Sequence, residues 1–376
     1  MDTNTPESQT GKIIWLNAIF LLGTPVLAAI VLPLFIWHHG VHWAEPVAML
    51  SLWLLTGLGI TAGYHRMFSH RAWWAPAPIR ALLLVLGGAA WQNSVISWSA
   101  AHRYHHRDVD TDQDPYDITK GFWHAHMLWV IVAGARHEDY DSAPDLAKDP
   151  LCVWQHRYYT AISIAFNLGV PLLLGLLTGR VVGMLIWAGL LRVVLVHHMT
   201  FFINSLAHMW GKQTWTENHS ARDNGILAFF TFGEGYHNFH HTFPGDYRNG
   251  FRWYHFDPTK WLIWSLARVG LATDLKRSPL ERRLKRRWER LRERYQDQME
   301  SWEESFLAQY QEAEARFEEA VAEARAVRRE WSQRATELHA ESARNMRRAC
   351  RQAERRMVAE VRQLQRMLRN PVLVPA

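Results

Sequence analysis

Long uncharged apolar blocks alternate with polar, histidine-bearing segments over the first 260 or so residues, and a densely charged stretch follows them. Residues 13–37 run for 25 positions without a charge, more than the ~20 residues a helix needs to cross a bilayer. This block is too long for a signal-peptide core and shows no clear cleavage pattern, so it is read as a retained span behind a polar tail, residues 1–12. A second block, 46–63, follows after a short linker and makes a helical hairpin with the first. Blocks 160–178 and 182–202, separated by Gly179 and Arg180, make a second hairpin. Between the hairpins, residues 79–91 are apolar over only 13 positions, which suits a re-entrant or interfacial helix.

The loops set an orientation. The 38–45 linker has no Lys or Arg, whereas 64–159 carries nine, so the positive-inside rule places both polar regions and both termini in the cytoplasm. The tail is a separate object. From 276 to 370 there is no Gly and only Pro279, while apolar residues recur every three or four positions from Leu284 to Ala324. The pattern predicts one long amphipathic, coiled-coil-like helix or a broken pair over 278–376, suited to self-association or to a partner helix. The eleven-residue series Leu291, Trp302, Ala313, Ala324, Ala335, Met346, Met357, Leu368 predicts a straight or slightly right-handed coil. The expected fold is therefore an all-α integral membrane protein: four spans in two hairpins, a cytoplasmic helical cap and a long C-terminal helix.

Charge sharpens this division. Residues 276–370 hold 24 Lys and Arg against 17 Asp and Glu, while the rest of the chain holds 18 against 19. The basic pI of about 9.4 thus belongs to the tail, and a nucleic-acid-binding body is disfavoured. Cys152 and Cys350 are the only cysteines, which excludes a disulfide framework, a zinc ribbon and a cysteine-held iron–sulfur cluster.

Histidine is the unusual residue, with 21 copies, most of them between His65 and His255. Three clusters lie on the predicted cytoplasmic side: His65 with His70; His102, His105 and His106; and His237, His240 and His241. Positions i, i+3 and i+4 share a helical face, so each HxxHH group converges, while its adjacent pair can reach two metals. His65 and His70, five apart, fall on different faces of a regular helix, which also suits two metals. The last span continues through Asn204 and His208 on one face, giving His208 as a ligand, Asn204 as a residue acting through a water, and His197 as a supporting residue. Imidazole accepts Fe, Zn, Cu or Ni, so the ligand type leaves the metal open. Two redox metals beside an apolar cavity can attack an unactivated C–H bond, which no side-chain acid, base or nucleophile can do.

The strings GYHRMFSHRAW, HRYHH, NSLAHMWG and GEGYHNFHHTFPGDYR resemble the boxes of membrane acyl-CoA desaturases of the stearoyl-CoA Δ9 type, in a bacterial form without a fused cytochrome domain. The likeness covers residues 13–277. It implies a non-haem di-iron centre held by His65, His70, His102, His105, His106, His208, His237, His240 and His241, with Asn204 holding a water. It further implies that O2 and two electrons convert a saturated acyl chain into a cis-alkene. Glu234, Asp108 and Asp112 are the nearby carboxylates expected to orient ligand imidazoles, with His197 in a supporting place.

Where animal members have an Arg-Asp pair for coenzyme A, this chain has Ala100 and Ala101, and a later basic pair is reduced to Arg136. Arg136 is the remaining head-group candidate. The acyl carrier is expected to be coenzyme A, with a lipid-bound chain as alternative. No electron-transfer motif is found, so the expected donor is a separate ferredoxin or reductase, and the expected location is a bacterial-type inner membrane. A hydroxylase on the same scaffold, a histidine-rich transporter and a membrane scaffold are the competing readings. Transport predicts ionisable ligands within the spans, but the three histidine clusters flank them, leaving only Arg192 deep inside one.

Overall fold

A computed structural model describes residues 11–134, 140–299, 302, 304–334 and 340–369. Arg136, most of the 1–12 tail, and Ala335 of the eleven-residue series lie outside the described residues.

Four helices are long and apolar enough to cross a membrane: α1 (Trp15–His39), α2 (Ala44–Ser69), α5 (Tyr159–Thr178) and α6 (Val181–Met209). Between the hairpins stand the short apolar α3 (Ala77–Ala89) and the polar α4 (Val95–Asp108). Lipid-facing side chains such as Leu16, Ile19, Leu172 and Leu176 are exposed in the isolated chain, whereas the middle of α2 is buried. Helices α1 and α5 therefore read as the outer members and α2 as the inner one. Tight approach of α2 to α3 relies on small residues: a Cβ on Gly59 would stand 2.6 Å from the Gly87 backbone nitrogen.

Two polar contacts organise the spans. Glu45, fully buried at the start of α2, pairs with Arg180 between α5 and α6 at 2.9 Å, linking the two hairpin connections. Arg192, buried in α6, donates to the carbonyls of Ala188 and Ala89 and to the side-chain oxygen of Asn167. This guanidinium satisfies the C-terminal end of α3 within the apolar layer, where an unpaired carbonyl costs several kcal/mol on the order-of-magnitude scale for polar burial.

Helix α2 does not stop at Gly63. Its last part, Gly59–Ser69, winds with π-type hydrogen bonding, and the His70 amide donates to the His65 carbonyl at 3.1 Å. Helix α6 likewise continues to Met209. Both extensions carry histidines beyond the apolar blocks. Past α6 come α7 (His237–Thr242) and α8 (Pro258–Arg268), the latter capped by Asp257, which accepts from the Lys260 amide.

The chain divides into two compact units, residues 1–214 with 218–277, and residues 215–217 with 278–376. In the second unit the expected single helix or broken pair is instead three helices: α9 (Leu280–Met299), α10 (Glu304–Arg334) and α11 (Ala340–Arg369). Ion pairs run in opposite registers, with Arg316–Glu360 and Arg328–Glu354 between α10 and α11, and Glu281–Arg325 and Arg292–Glu314 between α9 and α10. Adjacent helices are therefore antiparallel. Leu284, Trp288, Phe317, Val321, Met357, Val361 and Leu364 form their common core. A single straight helix would leave that apolar stripe in water; folding back buries it, and the eleven-residue series does not follow one continuous face.

Candidate metal centre

The first histidine box sits on the π-wound end of α2, the second on α4, and the third on α7, while His208 ends α6. These elements bring nine imidazoles into two groups: His65, His70, His102, His106 and His240; and His105, His208, His237 and His241. Within each group one ligand atom per residue lies within 4.8 Å of all the others. A simple rule emerges for the HxxHH boxes. Residues i and i+4 share a group, and residue i+3 reaches the other.

His65 and His70 join the same group, against the expectation of two metals. The i→i+5 winding explains this, since it brings residues five apart into near register, where a regular α-helix would rotate them onto different faces.

The nitrogen geometry tests whether a metal fits. Neighbouring Nε2 atoms stand 2.9 Å apart for His65–His240 and His240–His106, 2.8 Å for His70–His102, and 3.1 Å for His208–His237 and His237–His241. Imidazole–metal bonds of about 2.1 Å at a right angle put ligand nitrogens about 3.0 Å apart. Proton placement points the same way. His105 Nδ1 lies 2.8 Å from Asp114, and His208 Nδ1 lies 2.6 Å from Ser220 Oγ, whose own hydrogen goes to Asp110 at 2.5 Å. Both rings therefore carry hydrogen on Nδ1 and aim a bare Nε2 lone pair into their group. Burial, reinforced by neighbouring histidines, holds His102, His106, His240 and His241 well below the ordinary histidine range, so added protons do not relieve the crowding. Lone pairs converging at such distances fit a cation between them.

Beside both groups lies a cavity of about 880 Å³. His65 and His102 of the first group and His105 and His237 of the second reach its lining, with Phe20, Ile60, Trp91, Trp98, Val196 and Phe201 as apolar walls. The arrangement is two imidazole groups able to hold metal ions, beside a largely apolar cavity of the size that holds a small-molecule ligand.

The family model described as fatty acid desaturase matches residues 42–274. The chain belongs to the fatty acid desaturase family. It is 42% identical over 273 residues to a probable acyl-CoA desaturase of Schizosaccharomyces pombe, a match covering 70% of this chain and 55% of the yeast protein. Identity is 36% over 271 residues with an sn-2 palmitoyl-lipid 9-desaturase of Nostoc, covering 70% of this chain and 91% of that one. Against stearoyl-CoA desaturase 5 of Bos taurus it is 35% over 280 residues, covering 71% and 80%. The chain thus spans about half the length of the yeast relative. The matched family region ends before the charged three-helix unit.

In this chain the other expected site residues divide. Glu234 lies 3.0 Å from His65 Nδ1 and accepts from Arg66 and Asn249. Burial pushes its carboxyl up, but Arg66 and His65 outweigh burial and hold it down to about 2. Asn204 and His197 line the cavity, and His197 Nε2 donates to the Trp91 carbonyl at 2.9 Å. Asp108 pairs with Arg107, and Asp112 has a 94% exposed side chain near Lys120. Besides Glu234, the carboxylates found beside the clustered imidazoles are Asp114, on His105, and Asp110, acting through Ser220 on His208. Tyr116 adds a hydroxyl 3.1 Å from His102 Nδ1. Successive turns after α4, from Asp108 to Thr111 and from Thr111 to Asp114, bring Asp114 back beneath the helix it follows. The local signs of that reversal in the sequence were the alternating aspartates of 108–114 and Asp114-Pro115.

Proposed function

We propose that this chain is an O2-dependent fatty acyl desaturase that places a cis double bond at Δ9 of a saturated chain carried by coenzyme A. The observation carrying the reading is the pair of all-imidazole groups opening on one apolar cavity. Five imidazoles in the first group exceed a tetrahedral zinc set, which favours iron. His65, His70, His102, His106 and His240 would hold one iron, and His105, His208, His237 and His241 the other, with Asn204 contributing through a water. With both irons bound, the centre supplies the redox chemistry by which one O2, two electrons and two protons take two hydrogens from adjacent methylenes, leaving an alkene and two waters.

The remaining work falls to the protein. Asp114 and the Asp110–Ser220 pair hold Nδ1 hydrogens and fix which way their rings point, and Glu234 sets its charge 3.0 Å from His65 Nδ1. Gln92 donates to Thr200 at 2.8 Å, closing a stretch of cavity wall beside Trp98. These walls exclude water and set which methylene stands before the centre. Electrons come from a separate ferredoxin or reductase. The histidine-bearing side and both termini face the cytoplasm of a bacterial inner membrane, a reading supported by the nine Lys and Arg of 64–159 against none in 38–45. A lipid-bound acyl chain is the second reading, favoured by the name of the Nostoc relative and by Ala100 and Ala101.

The test is the fatty-acid profile, with double-bond positions, of an aerated host expressing the intact chain beside His106→Ala. A new Δ9 cis-monoene lost in the variant supports the proposal. A hydroxylated product redirects it, and a purified wild-type chain without iron removes its basis. Labelled stearoyl-CoA supplied to membranes with acyl transfer blocked separates the two carriers.

A further inference from the structure

The C-terminal unit carries a charge pattern that the desaturase reading does not use. Helix α11 holds nine arginines against three glutamates over Ala340–Arg369. Its buried residues Ala353, Met357, Val361, Leu364 and Leu368 occupy one face. With successive residues turning by about 100°, Arg348, Arg351, Arg355, Arg362 and Arg366 fall within an arc of about 60° on the opposite face, spread over about 27 Å of helix. All five are exposed.

Ion pairing sharpens the asymmetry. Glu354 and Glu360 of the same helix pair with Arg328 and Arg316 of α10, and Arg356, off the stripe, pairs with Glu319 and Glu323. Among the described residues, none of the five stripe arginines forms an ion pair. Two of the helix's three glutamates thus go to contacts within the unit, and a continuous cationic line is left exposed.

We propose that this arginine stripe binds the anionic phospholipid headgroups of the membrane in which the chain resides. Guanidinium forks match phosphate oxygens, and a headgroup layer meets a line of charge without needing shaped pockets. The arc is flanked by Gln352, Ala359 and Gln363 on one side and by Val358 on the other, so it offers neither aromatics to stack nucleic-acid bases nor a broad apolar centre for a protein interface. The unit is also covalently joined at residue 278 to a domain with four membrane-crossing helices, which keeps lipid at high effective concentration. Each arginine near an anionic surface contributes about a fivefold preference, so five together give a preference on the order of 10³-fold over a zwitterionic surface.

The test uses the full chain in nanodiscs, with Cys350→Ser and Ala359→Cys carrying a nitroxide in the middle of the stripe; Cys152 is buried and stays unlabelled. Collisions with a water-soluble nickel chelate report exposure. In discs containing phosphatidylglycerol the label should become shielded. In pure phosphatidylcholine it should stay exposed, and ~1 M salt, with a Debye length of about 3 Å, should restore exposure. Replacing all five arginines by Gln should abolish shielding while the helical circular dichroism is unchanged. Because the salt titration needs no arginine replacement, misfolding of the quintuple mutant would not obscure the answer. Equal exposure in both discs, or equal shielding in both, overturns the proposal. Shielding only by added single-stranded RNA overturns it in favour of a nucleic-acid surface.

Discussion

At the scale of single residues, the centre depends on which nitrogen of each imidazole carries hydrogen. Asp114 enforces that choice on His105, while Asp110 does so on His208 through Ser220. Replacing Asp114 by Asn keeps the volume but removes the charge that holds the Nδ1 hydrogen. Metal-binding sites lose about 10–100-fold in affinity when such an outer partner is removed. Asp114→Asn should therefore lower iron retention under chelator competition by that factor, and Ser220→Ala should do the same. Asp112→Asn, on a side chain 94% exposed, should leave retention at the wild-type value. Iron per chain measured against a graded chelator checks all three without requiring turnover. Equal behaviour of the Asp114 and Asp112 variants would remove the orienting role.

Elements were legible where one physical signal dominated. The hydrophobic blocks marked all four spans because crossing a bilayer demands a long uncharged run, and the boxes marked themselves by helical spacing. Where the outcome turned on backbone geometry the sequence was less informative. The π-wound end of α2 reverses the apparent divergence of His65 and His70, and two successive turns bring Asp114 rather than Asp112 to a ligand. The third box shows such a constraint in detail. Gly233 adopts φ +105°, and a Cβ on Gly235 would stand 2.2 Å from the Ala228 backbone nitrogen, a fixed neighbour that cannot step aside. Gly235→Ala should displace α7 and cost about 1–3 kcal/mol, the usual range for overpacking, read as a lower thermal midpoint with fewer irons per chain. Cys152, on the short helix Pro150–Arg157, offers a companion test of that helix's packing against α3 and α4. It is fully buried, and burial, with Asp149 adding to it, pushes its thiol up to about 12. The thiolate is the reactive form, so native protein near neutral pH should take up one equivalent of maleimide, at Cys350, and two only after unfolding.

For the whole molecule, the question is whether the charged unit belongs to the catalytic machinery. Its core of Trp288, Phe317, Val321, Met357 and Leu364 is its own, and none of the clustered imidazoles lies among its described residues. The family match ends at residue 274, and a Nostoc relative covered over 91% of its length leaves little room for a comparable unit. A chain ending at Arg277 should therefore retain both irons and, given electrons from an added donor, turn over within about twofold of the full chain, as surface changes remote from a site usually do. It should lose whatever the arginine stripe provides, so its distribution between anionic and zwitterionic membranes should no longer differ. Iron per chain, turnover and membrane partition, measured on one preparation, separate the alternatives. Loss of iron on truncation would make the helical unit a support of the centre. Retained iron with lost turnover would assign it to delivery of electrons or substrate, because the metal sites would then be complete while a partner could no longer reach them.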